Sequence, residues 1–213
     1  MRRHRPIGLL AVLSAVLLLV SGALPASAAT AYFGATLNKF SQPSNAESGQ
    51  RCDDNGGIPA NASCTWVSVQ AYANGPTGNK AKAPKDGTIG QIRLVTCVAG
   101  SFTLQIVRKQ SNGAFKVVRS GPTINYAADP FVADGDPETF CGGEDGTYKV
   151  QKFSTSFSIK KNSYIAIKAK KTGTLYCSGG SGTRLITPAL NTGQQSLPDA
   201  SASCNLLVAL YYK

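Results

Sequence analysis

Histidine is nearly missing from this 213-residue chain: the one copy, His4, stands ahead of an apolar run at the amino end. That scarcity excludes the Ser–His and Cys–His nucleophile pairs and the common zinc sites, all of which use imidazole. Tryptophan and methionine occur once each, and acids are scarce, 11 Asp and Glu against 22 Lys and Arg. No Gly-x-Ser-x-Gly and no Cys-x-x-Cys occurs, so neither a nucleophile elbow nor a paired-cysteine metal site is written in the chain. RNP, helix-turn-helix and finger patterns are absent as well, and no dedicated nucleic-acid domain is expected. No long segment follows the helical period.

What the amino end does contain has three parts: basic Met1–Arg5, an apolar run from Ile7 to Val20, and small residues Ala26-Ser27-Ala28. This is the layout of a secretory signal. The apolar run falls short of the ~20 residues that cross a bilayer, and so does Leu206–Tyr211 near the carboxyl end. Residues 1–28 are therefore expected to be removed, leaving 29–213 as one domain, secreted to the extracellular space or cell surface with no membrane span. The arginine-rich start and alanine-rich cleavage region suit bacterial export. Loss of Arg2, Arg3 and Arg5 leaves 19 basic against 11 acidic residues, a surplus of eight.

Six cysteines, Cys52, Cys64, Cys97, Cys141, Cys177 and Cys204, all follow the signal, and an even number in an exported chain points to three disulfides. Of the fifteen possible pairings, the sequential set Cys52–Cys64, Cys97–Cys141 and Cys177–Cys204 links segments that a meandering sheet keeps close.

The rest of the chain reads as β: short runs of Val, Ile, Thr, Phe and Tyr bounded by Gly, Pro, Asn and Asp. Ile92–Val98 and Ser101–Val107 flank Ala99-Gly100 and suggest a hairpin with Ile92, Leu94, Phe102, Leu104 and Ile106 inward and Arg93, Thr103 and Gln105 outward. Ser111-Asn112-Gly113 turns the chain into Phe115–Arg119, and Gly121-Pro122 is expected to end that strand. In Phe153–Ile159 the odd positions are mostly bulky and the even ones all serine, the alternation of an outer strand with one wet face. Lys160-Lys161-Asn162 reads as a polar turn into Tyr164–Ala169, Leu175–Cys177 as a short strand, and Ser178–Gly182 as a glycine-rich loop. Cys204–Tyr212 is apolar on both parities, as in a covered central strand. The sum is an all-β chain: an antiparallel β-sandwich of jelly-roll type, stapled by disulfides.

Asp86-Gly87-Thr88-Ile89, the run to Val107, Phe115–Val118 and Phe157–Ile167 together resemble uncharacterised exported jelly-roll domains of actinobacteria. The resemblance implies a fold and export; it carries no catalytic residue with it.

Three features hold candidate chemistry. Between Asp129 and Asp145 stand six carboxylates without a basic residue, and Asp134, Asp136 and Glu138 are candidate ligands of a structural calcium, which takes 6–8 oxygens. The competing reading is a solvated acidic loop. Paired carboxylates also raise a small extracellular hydrolase, but loop acids hold such geometry poorly. Lysines gather late, Lys149 to Lys171, with Lys80, Lys82 and Lys85 earlier; they form either one polyanion-binding face or scattered guards of strand edges. Aromatic rings offer sugar platforms. Tyr164, on the parity opposite Ile165 and Ile167, is expected to face solvent, whereas Trp66 next to a disulfide is a platform or, more in keeping with its neighbours, a core residue. Tyr164, Trp66, Lys168 and Lys170 are the candidate ligand residues. The partner class they fit is extracellular polysaccharide or an anionic cell-wall polymer, with a structural or adhesive surface role as the other binding alternative.

Overall fold

The computed structural model describes residues 31–37, 52, 63–71, 80–95, 99–127, 150–169 and 177–213, apart from the side chains of 177–179 and 203. These residues form eleven strands: β1 (Tyr32–Gly34), β2 (Cys64–Ser68), β3 (Gly87–Leu94), β4 (Gly100–Lys109), β5 (Phe115–Tyr126), β6 (Gln151–Ile159), β7 (Tyr164–Ala169), β8 (Cys177–Ile186), β9 (Gln195–Ser196), β10 (Ala200–Leu206) and β11 (Val208–Tyr212). Every pairing is antiparallel. One sheet has the order β1-β11-β3-β6 and the other β10-β8-β2-β7-β4-β5-β9.

Alternation explains why the two sheets face each other. Phe33, Ile89, Ile92 and Leu210 of the first and Trp66, Phe102, Leu104 and Ile167 of the second project into one buried cluster. Each such side chain contributes roughly 1.5–3 kcal/mol by leaving water, so the shared core fixes the sandwich-like arrangement. A second, smaller cluster lies on the other face of the seven-stranded sheet, with Val67, Val107, Phe115, Val117, Tyr164, Ala166 and Ile186 beneath Leu190.

Several local expectations hold. β6 is the edge of its sheet, and Ser154, Ser156 and Ser158 are exposed along it. β11 is buried throughout, between β1 and β3. The Cys52–Cys64 disulfide is present with its Cα atoms 5.6 Å apart. Cys204 is disulfide-bonded as well, and the β8–β10 pairing sets Cys177 opposite Leu206. Cys97 and Cys141 lie outside the described residues.

Other expectations are corrected. β3 and β4 do not form a hairpin: β3 pairs with β11 and β6, β4 with β5 and β7. Two alternating runs around a short break describe a crossing between facing sheets equally well, because both runs bury one face in the same core. The true hairpin is β4–β5. Its turn is closed by Gln110 N to Ala114 O (2.7 Å) and Gly113 N to Gln110 O (3.0 Å), with Gly113 at φ 88°.

Gly121-Pro122 does not end β5, which continues to Tyr126. The register shifts there, so Gly121 and Pro122 of β5 stand opposite the single residue Leu104 in a one-residue bulge, and a proline is tolerated at this bulge near the sheet edge. Ser178–Gly182 lies inside β8, not in a loop. At Gly182 the backbone comes so close to Asn205 and Gln70 that a Cβ would overlap both, and its N–H donates to Asn205 Oδ1 at 3.0 Å. Gln105, expected outward and wet, is only 1% exposed beneath the second cluster's cover. Finally, Cys204–Tyr212 is two strands. The chain leaves one sheet at Leu206 and enters the other at Val208.

Candidate functional site

At one end of the sandwich three segments converge: the tip of the β4–β5 hairpin, the β6–β7 turn, and residues 80–86 leading into β3. Short backbone bonds hold them. Ala83 N donates to Ser163 O (2.8 Å), Asn162 N to Ala83 O (2.9 Å), and Lys82 bridges Tyr164. Asn162 completes the tight turn in the left-handed region at φ 65°, where asparagine is among the tolerated residues.

The convergence forms an open hollow of about 670 Å³ lined by Lys82, Arg108, Lys109 and Lys161. Gln110, Ser111, Asn162 and Tyr164 complete the lining. All four cations are exposed, and among the described residues no carboxylate lines the hollow. A second hollow of about 370 Å³ shares Lys82, Lys161 and Asn162 with the first and adds Lys80 and an apolar wall of Val69, Ala81, Ala83 and Pro84.

Among the described residues, the nearest acid serves the scaffold. Asp86 Oδ2 accepts from Lys160 Nζ at 2.8 Å and its Oδ1 from the Lys161 backbone N–H at 2.7 Å. The hydrogen bond from Lys160, then that from Lys161, and the charges of Lys160 and Arg108 hold the Asp86 carboxyl below its usual value of 3.8. Asp86 thus neutralises Lys160 and anchors the turn that presents Lys161 to the hollow. Lys85 is drawn to the same end: Tyr212 Oη donates to its carbonyl at 2.9 Å, and its Nζ sits 5.2 Å above the Tyr212 ring.

The expected platform residues do not form a platform. Trp66 is 0% exposed in the main core. Tyr164 does sit on the parity opposite Ile165 and Ile167, but that face is covered by the second cluster. It is 8% exposed, its ring meeting Phe115 edge-on (centroids 5.9 Å, 84°) with Lys82 Nζ 5.4 Å over its face. Lys168 lines neither hollow; its Nζ donates to Asn191 Oδ1 at 2.7 Å. Lys170 and the calcium candidates Asp134, Asp136 and Glu138 lie outside the described residues.

Of the lysines singled out in the sequence, Lys80, Lys82 and Lys161 come together, and Lys85 and Lys160 stand nearby. Arg108 and Lys109 were missed. Their signal was available: two adjacent cations at a strand end directly before a tight turn, where consecutive side chains leave the sheet on both sides. Across the described residues there are 14 Lys and Arg against two side-chain carboxylates, Asp86 and Asp199.

Chemically, the arrangement offers four cationic side chains with amide and hydroxyl groups beside them, in a setting open to water. Among the described residues no cluster of three His, Cys, Asp or Glu is placed to hold a metal ion. Comparison with family models, with curated proteins and with solved structures finds no match for this chain.

Proposed function

We propose that this chain is a secreted, non-enzymatic binding domain whose partner is an anionic extracellular glycan or cell-wall polymer. The observation that carries the reading is the hollow lined by Lys82, Arg108, Lys109 and Lys161 with no carboxylate among the described lining residues. Uncompensated cations held together repel one another, and a polyanion relieves that repulsion while releasing its own counterions. Among the described lining residues the one aromatic ring, Tyr164, is buried, which favours an electrostatic site over the stacking sites of sugar or base readers.

The fold assignment belongs to the same proposal. With β8, β9 and β10 set aside as an insertion, the strands run β1-β11-β3-β6 in one sheet and β2-β7-β4-β5 in the other, the order of a jelly roll wound from two Greek keys. This supports the resemblance to exported jelly-roll domains of actinobacteria.

The test is co-sedimentation of the chain lacking residues 1–28 with bacterial cell wall, with the same wall stripped of its anionic polymer, and with a neutral polysaccharide. Retention is expected on intact wall alone, and to vanish at ~0.5 M salt, where the screening length is only a few Å. Arg108→Ala with Lys161→Ala should weaken retention at least about tenfold, or ~1.4 kcal/mol. Retention indifferent to both salt and these substitutions would refute the reading.

A further inference from the structure

The two hollows adjoin: Lys82, Lys161 and Asn162 line both. Their linings differ in kind. The first is cations and polar side chains, four charges around one space. The second has one further cation of its own, Lys80, set against the apolar wall of Val69, Ala81, Ala83 and Pro84.

A compact anion fits this arrangement poorly. It would satisfy one or two of the five cations and leave the rest facing each other, and it has nothing to lay against the apolar wall. Charge alone is also insufficient, since a chain of bare phosphates presents no C–H surface to that wall. The complement is a linear molecule that carries negative charges at intervals along a carbon backbone.

We propose, building on the binding reading above, that the two hollows are consecutive subsites of one track for a linear, carbon-backboned polyanion. The first subsite takes a charged group amid Lys82, Arg108, Lys109 and Lys161. The second takes the adjoining backbone segment on the apolar wall, with the next charge at Lys80. Affinity then rises with ligand length until both subsites are filled, because the second contact is made by a ligand already held by the first.

The experiment is calorimetric titration of the chain with glycerol-phosphate oligomers and, separately, oligogalacturonates, each from the single unit upward, with inorganic polyphosphate as the backbone-free control. The two oligomer series distinguish phosphate from carboxylate as the charged group. Affinity is expected to climb about tenfold between single units and oligomers long enough to cross Lys161, then level off. Lys80→Ala should remove most of that gain while leaving the single unit unchanged, and Arg108→Ala should weaken every length. The exposed Lys80 side chain can be removed without disturbing the fold, since its structural contact is a backbone one, its carbonyl accepting from Gly34 N at 3.0 Å.

Equal affinity at all lengths, or a Lys80→Ala loss that is the same for single units and long oligomers, would overturn the track while leaving polyanion binding intact. Polyphosphate matching the oligomers and responding equally to Lys80→Ala would overturn the role of the apolar wall. No binding by any of the three would overturn both the track and the proposed function.

Discussion

Tyr126 is a phenol 4% exposed in the main core, and its hydroxyl meets no hydrogen-bond partner among the described residues. Burial pushes its pKa up to about 12. In the unfolded chain the same group ionises near 10. Between those values only the unfolded state releases the proton, so this residue's stabilising contribution is intact below about pH 10 and is lost as pH rises toward 12, by about 2–3 kcal/mol. Tyr126→Phe should remove that alkaline loss and, by removing an unpaired buried hydroxyl, raise neutral stability by about 1 kcal/mol in urea unfolding. An unchanged alkaline slope would assign it to other groups. Asp86 has the opposite sign: its depressed carboxyl contributes above the ordinary carboxylate pKa and stops contributing as pH falls through its own lower value. Carbon-detected NMR should place its midpoint below 3.8 and move it upward in Lys160→Met. Both effects depend on surroundings that the sequence does not display at those positions. Tyr164 shows where legibility ends: alternation correctly sets it opposite Ile165, but the residues that cover it come from 80–83 and from Phe115, remote in sequence.

The segment from Thr187 to Ser196 behaves as a cover pinned by two buried polar side chains. Gln105 Nε2 donates to Leu190 O at 2.8 Å, Leu190 N donates to Thr65 Oγ1 at 3.0 Å, and Thr65 Oγ1 donates to Gln105 Oε1 at 3.2 Å. This closed set explains why two polar residues are buried on a strand face that alternation marks as wet. Gln105→Leu keeps the volume but leaves the Leu190 carbonyl without its donor and the Thr65 hydroxyl proton without its acceptor, and should cost about 1–3 kcal/mol. Hydrogen exchange would show where: amides of 187–196 should lose protection before those of β7 and β11. Uniform loss across both sheets would mean that the cover is not a separate unit. At this scale the strands themselves were readable, because burying one face leaves a period of two in the sequence. Which sheet each strand joins was not, since β3 and β4, or β10 and β11, carry the same inward parity whether they pair or face each other.

For the molecule as a whole, charge and crosslinks matter more than any one contact. The described residues hold 14 of the cations but only two of the side-chain carboxylates; among themselves these charges repel, and the core and the disulfides oppose that repulsion. Replacing both Cys52 and Cys64 with alanine should cost about 2–4 kcal/mol in chemical denaturation, as expected for opening a loop of this length. A loss well under 1 kcal/mol would mean that the link restricts the unfolded chain less than its loop length implies. The basic end was half legible: the lysine runs stood out, but their convergence with Arg108 and Lys109 depends on a crossing between sheets that no local pattern records. The position of β11 has a consequence in time. β1 pairs with β11, and β3 needs it on one side; the strand that joins them is the last of the eleven described. A polypeptide emerging amino end first cannot close this sheet until residues 208–212 arrive, so a chain ending at Leu207 should remain protease-sensitive. Completion of the fold then reports that the chain has been delivered through residue 212.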